Sequence, residues 1–170
     1  MNEQDEVDRI LRDWATARPD LDLAPLAVFS RMTRITKRLD RARVHAFERS
    51  GLAAWEFDVL AVLRRSDTQY RQSPKVLVQQ TMVSSGTMTN RIDRMVDRGL
   101  VHRLTDPNDG RGVLVEMTEL GQTLVDAAMT RLADAEENLI GGLPRAERDR
   151  LAALLRKLAL SVDRFEHPLD

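Results

Sequence analysis

The run of residues 82–121 constrains this chain most, because a helix with two unlike faces is followed at once by a hairpin. Over residues 84–97, Met88, Ile92, Met95 and Val96 recur at helical spacing, which predicts one face turned to a core. Ser84, Ser85, Thr87, Thr89, Asn90, Arg91 and Arg94 then lie on or beside the exposed side. Gly99 ends the helix, since glycine enters the left-handed C-terminal position without a Cβ penalty. Residues 101–104 and 113–117 read as short strands around an Asp-Pro-Asn-Asp-Gly-Arg-Gly turn. A shorter helix over 74–80, with Ser73 as N-cap and Pro74 at its first position, precedes them across a tight break at 81–83.

The remainder is helical. Val7, Ile10, Leu11 and Trp14 share one face of a short helix over 7–16, ended by Arg18-Pro19. Pro25 sits near the start of a long helix to about residue 48, with an apolar stripe of Leu26, Phe29, Met32, Ile35, Leu39, Ala42 and Ala46 and a basic opposite face. Residues 54–65 form a compact helix with Phe57, Leu60, Ala61 and Leu63 inward. A polar loop over 67–73 follows. Thr118 opens a helix to about 140, Gly141-Gly142 stops it, and Pro144 starts a last helix to about 165. In that helix Leu151, Leu154, Leu155, Leu158, Val162 and Phe165 make an apolar stripe too wide for a lone exposed helix. The expected fold is mainly α with a small β-wing. Its parts are N-terminal helices over 1–50, a DNA-binding lobe over 51–118 and C-terminal helices over 119–170.

Composition narrows the function. The 170 residues carry a formal net charge of −1, so any basic surface is local and bulk charge does not drive DNA binding. There are no cysteines, which removes disulfides, thiolate metal sites and thiol redox sensing. No apolar run nears the roughly 20 residues of a membrane span, and the acidic start lacks a signal-peptide run. A cytoplasmic protein without a membrane partner or cofactor is the expectation. His45, His102 and His167 are widely spaced, and no glycine-rich phosphate loop or Ser-His-Asp set appears, so catalysis is not expected.

Small polar residues on the first half of helix 84–97 let a backbone approach base edges. Asn90 suits adenine, and Arg91 or Arg94 suits guanine or phosphate. The free N–H groups near Ser84 and Ser85 suit a phosphate. At the hairpin, Asp109 can orient Arg111 for a narrow minor groove. With these motifs, SSGTMTNRIDRMVDRGLV, DPNDGR and VLVEMTELG, the chain resembles the MarR family of winged helix-turn-helix regulators. The resemblance covers nearly the whole chain. It implies a homodimer, joined by terminal helices, on a pseudo-palindromic double-stranded operator, with repression as the family default. Gly110 departs from the larger, often basic, residue common in the family's Asp-x-Arg element.

Two further segments, LRDWATARPDLDLAPLAV and GLAAWEFDVLAVLRR, resemble the PecS-like, urate-responsive branch of that family. The resemblance implies a ligand site of Trp14, Asp58, Arg91 and Arg103, and a small anionic ligand such as urate. The chemistry fits a flat anionic purine: an indole for ring contact, a guanidinium fork for the anion, and a carboxylate that ligand charge repels. Asp58, on an otherwise apolar helix, is expected to be partly buried and paired, for instance with Arg91 or Arg103. Each residue also has a plain structural role open to it. Trp14 anchors a helix, Asp58 forms an ion pair, and Arg91 holds a phosphate. An organic-acid or phenolic ligand, or a ligand-blind architectural DNA-binding dimer, are the competing readings.

Overall fold

Short polar side chains and prolines set the helix starts in the computed structural model, which describes residues 4–66, 68–107 and 109–166, without the side chains of 109–111, 165 and 166. Helix α1 (Glu6–Ala17) begins at Asp5, whose carboxylate accepts from the Asp8 N–H while Asp8 accepts from the Asp5 N–H. Helix α2 (Ala24–Glu48) carries Pro25 in its first turn. Helices α3 (Ala54–Arg64), α4 (Pro74–Thr81) and α5 (Ser85–Asp97) follow, with Ser73 and Ser84 capping the last two through their hydroxyls. Helices α6 (Glu119–Ile140) and α7 (Arg145–Glu166) complete the chain. No helix among the described residues is long and apolar enough to cross a membrane.

Three strands form one antiparallel sheet in the order β1-β3-β2, where β1 is Arg71–Gln72, β2 is Val101–Asp106 and β3 is Asp109–Met117. Val101 faces Met117, and Arg103 faces Val115. The hairpin is longer than its apolar residues suggest. Backbone pairing continues through polar Thr105 and Asp106, so Asp109, Gly110 and Arg111 begin β3 rather than lying in an open turn. Strand β1 falls in the stretch expected to be loop. It is short and polar, and an Arg71–Glu116 ion pair joins it to β3.

The chain divides into two units, Met1–Leu132 and Ala133–Asp170. In the first, α3 is the hub of the core: Phe57, Val59, Leu60, Val62 and Leu63 are buried with Leu77, Met88, Ile92, Met95, Val115, Val125 and Ala128. The rings of Phe47 and Phe57 stack with centroids 4.0 Å apart. Val96 lies outside this core, exposed on the rim of α5, because the buried stripe of Met88, Ile92 and Met95 is narrower than the periodicity suggests. The α2 stripe is likewise covered only near its end. Ala46 and Phe47 are buried, whereas Phe29 and Ile35 stand exposed. In the second unit, Leu151, Leu154, Leu155 and Val162 of α7 are exposed, and the Phe165 side chain lies outside the described residues.

Helix α6 starts against the end of α5. The Thr118 hydroxyl donates to the Gly99 carbonyl at 2.7 Å and accepts from the Gly121 N–H at 3.0 Å. A Cβ on Gly121 would run into the Leu100 carbonyl oxygen and lie 2.9 Å from Met117 Cγ. The backbone oxygen cannot step aside, so Gly121→Ala is expected to cost about 1–3 kcal/mol, as overpacking does. Urea denaturation of the variant measures it, and an unchanged midpoint would refute the close approach.

Candidate nucleic-acid interface

Helix α5 stands on the core with its polar side free. Met88, Ile92 and Met95 are fully buried, while Ser84, Ser85, Thr87, Thr89, Asn90 and Arg94 are exposed and Arg91 is half-buried. The wheel read from the sequence thus holds for every candidate DNA residue on this helix. Ser84 Oγ accepts from the Thr87 N–H at 3.3 Å and lies 2.9 Å from the Thr87 hydroxyl. Thr89 returns its hydroxyl to the Ser85 carbonyl at 3.0 Å. The break before α5 is made by Met82, which takes the left-handed conformation at φ 52 and is almost fully exposed. Helix, break, helix and hairpin therefore come in the order expected. The backbone of Asp109 and Arg111 belongs to β3, and their side chains lie outside the described residues.

The arginines around α5 fall into two groups. Arg98 pairs with Glu56, a carboxylate only 1% exposed, and also donates to the Gly51 carbonyl at 2.8 Å. Arg103 on β2 pairs with Asp93 on α5. Arg91 and Arg94 lie instead over the ring of Trp55 on α3, their guanidinium carbons 5.6 and 5.0 Å from its centroid. Trp55, Glu56 and Asp93 carry no role in the sequence reading. The Trp-Glu-Phe-Asp motif contains the first two, and the sequence marks its phenylalanine for the core and its aspartate for the ligand site.

The four expected ligand residues sit on four elements: Trp14 on α1, Asp58 on α3, Arg91 on α5 and Arg103 on β2. Among the described residues no ion pair joins any two of them. Asp58 is exposed rather than partly buried, and its partner is Arg43 of α2 at 3.7 Å, not Arg91 or Arg103. The reason is orientation: Asp58 occupies the one side of α3 that its apolar neighbours leave outside the core. It stands one turn from Trp55, and thus on the side where that ring meets Arg91. A cleft of about 390 Å³ between α1 and α2 is lined by basic residues from Arg31 to Arg41 together with Asp5 and Glu6, and contains none of the four residues.

Trp14 itself is half exposed. The helix that carries it is held to α2 by buried Val7 and by charge. Arg31 bridges Asp5 at 2.8 Å and Asp8 at 2.7 Å, and Arg34 meets Glu6 at 2.8 Å. Part of the basic face of α2 is therefore paired with carboxylates of α1.

This geometry defines a DNA-binding protein of the winged helix-turn-helix class. A family model described as the MarR family matches residues 50–112. The HTH-type transcriptional regulator PecS of Dickeya dadantii is 33% identical over 153 residues, covering 90% of this chain and 92% of that protein. The chain belongs to the MarR family. Among solved structures, a mutant of Escherichia coli MarR complexed with operator DNA has a TM-score of 0.65 at 26% identity, over 91% of this chain and 99% of that one. BpsR of Bordetella bronchiseptica, solved to explain regulation of its DNA binding by 6-hydroxynicotinic acid, has a TM-score of 0.65 at 30% identity, over 78% and 92%.

The hydrogen bonds from Arg31 hold the Asp5 carboxyl below its ordinary range, against a smaller opposing effect of desolvation. The folded value lies below the unfolded one. The contribution is therefore fully present above about 3.9 and is lost as pH falls through the depressed value. At neutral pH Arg31→Met is expected to speed hydrogen exchange of the α1 amides and leave those of α5 unchanged, with the difference shrinking as acid protonates the Asp5 carboxyl. Equal α1 exchange in the two proteins at neutral pH would show that Val7 alone docks the helix.

Proposed function

We propose that this protein is a ligand-responsive repressor that binds a pseudo-palindromic operator as a homodimer and is released by a small anion of the urate type. The observation that carries the DNA half is the exposed polar side of α5, from Ser84 to Arg94, with the β2–β3 wing beside it. Its N-terminal half enters the major groove, where Asn90 and the arginines read base edges and Ser84, Ser85, Thr87 and Thr89 approach backbone and phosphate. Arg111, oriented by Asp109, follows the minor groove. Two copies are joined through apolar side chains that one chain leaves in water, Leu151, Leu154, Leu155 and Val162 of α7 among them.

The ligand half rests on Trp14, Asp58, Arg91 and Arg103, together with the similarity to PecS. The ion pairs suggest how occupancy reaches DNA. An anion that takes the Arg103 fork competes with Asp93, which is part of α5. Negative charge near Asp58 also strains its link to Arg43 on α2. A purine anion thus acts on the helix that carries the DNA contacts through Asp93, and on the link between α2 and α3 through Asp58. A carboxylate ligand is the second reading, favoured by the similarity to BpsR and its 6-hydroxynicotinic acid.

Two predictions test these halves. Arg111→Ala is expected to weaken binding uniformly across duplex sequences and to reduce the salt slope by about one, because wing contacts position the protein and do not specify bases. Fluorescence anisotropy over a salt series measures both, and a sequence-selective loss would count against the wing role. Urate, titrated into the protein–duplex complex, is expected to release DNA from the parent and much less from Asp58→Asn. If the two titration curves coincide, Asp58 leaves the mechanism. If 6-hydroxynicotinic acid releases the duplex and urate does not, the carboxylate reading replaces the purine one.

A further inference from the structure

We propose that Trp55 is the positioning residue of the DNA-reading surface, a neutral rest that holds Arg91 and Arg94 aligned while leaving both charges available to the nucleic acid. Arg91 and Arg94 are three residues apart on α5, so their side chains leave the helix on one side. Both guanidiniums lie over the same indole, at 5.6 and 5.0 Å. Among the described residues neither has a carboxylate within ion-pair distance, in contrast to Arg98 with Glu56 and Arg103 with Asp93. The difference has a chemical consequence. A carboxylate would orient an arginine and cancel its charge, so a phosphate would have to displace it. An aromatic face orients the planar guanidinium through its quadrupole and contributes no charge. The pair therefore keeps its full positive charge toward DNA, with fewer side-chain rotamers to lose on binding.

The ring is itself well fixed. Trp55 packs against the core of the first unit. The next residue, Glu56, is almost fully buried, pairs with Arg98 at the end of α5 and accepts from the Ala53 N–H at 2.8 Å. The start of α3 is thus tied to the helix whose arginines the ring supports. This inference rests on the DNA-binding reading and deepens it. It assigns to α3, which offers no side chain to DNA in that reading, a part in setting the DNA-reading arginines.

The test uses the full chain and a duplex that the parent protein selects from a random-sequence library. Trp55→Leu is expected to weaken binding to that duplex about tenfold, the size of the ordering cost of two long side chains no longer held in advance, with the salt slope unchanged because no charge is removed. Trp55→Tyr, which keeps an aromatic face, is expected to recover most of the affinity. In an Arg91→Ala, Arg94→Ala background, Trp55→Leu is expected to have no further effect, whereas a ring needed only for packing would weaken binding there as well. Undiminished affinity of Trp55→Leu, a loss of equal size in the arginine-free background, or failure of Trp55→Tyr to recover binding overturns this inference alone. Failure of the parent to select any duplex at low salt overturns the DNA-binding reading with it.

Discussion

The Glu56 carboxylate is the fixed point of the first unit. It is buried, it caps the first turn of α3 through the Ala53 N–H, and its charge is met by Arg98, which also reaches the Gly51 carbonyl at the turn before α3. Removing one partner of a buried pair costs on the order of 3–5 kcal/mol, and the half-exposed guanidinium brings this pair to the low end of that range. The pair joins α3, which carries Trp55 and Asp58, to the end of α5, which carries Asn90, Arg91, Asp93 and Arg94. An apolar contact would tolerate sliding. A buried charge with a directional partner fixes the register of the start of α3 against the end of α5.

Around that fixed point, charge is distributed with a division of labour. Arginines that hold the architecture are neutralised by carboxylates: Arg98 by Glu56, Arg64 by Asp126, and Arg31 by Asp5 and Asp8. Arg91 and Arg94, which α5 is expected to present to DNA, rest on an aromatic ring. With a net formal charge of −1 over the chain, a local basic surface depends on keeping carboxylates away from particular arginines. The Arg103–Asp93 pair has two sides to it under the proposed function. It joins the wing to α5, and it is the contact that an incoming anion would contest.

Much of this was legible in the residues themselves. The helix cap at Ser73, the prolines at 25 and 74, and the 3.6-residue recurrence of Met88, Ile92 and Met95 are local signals, and local signals survive folding. What escaped was decided between elements. Strand β1 is two polar residues long, and only its partner β3 makes it a strand. Val96 fits the apolar periodicity of α5 yet lies beyond the width of core available. Asp58 lies on an apolar helix, and burial followed from that reading. The helix's apolar neighbours claim the core, and Arg43 holds the carboxylate at the surface. Trp55 reads as one more large apolar residue until the two arginines above it come from another helix.

The junction at Thr118 and Gly121 has a mechanical meaning. The first turn of α6 touches the chain at Gly99 and Leu100, the two residues that carry α5 into the wing, through the short Thr118 hydroxyl and the bare backbone of Gly121. Side chains in an interface act as springs, taking up small displacements by changing rotamer. At this junction the yielding part is small, one threonine hydroxyl and the backbone of a glycine. A rotation of the first turn of α6 would therefore meet the root of the wing with little slack to absorb it.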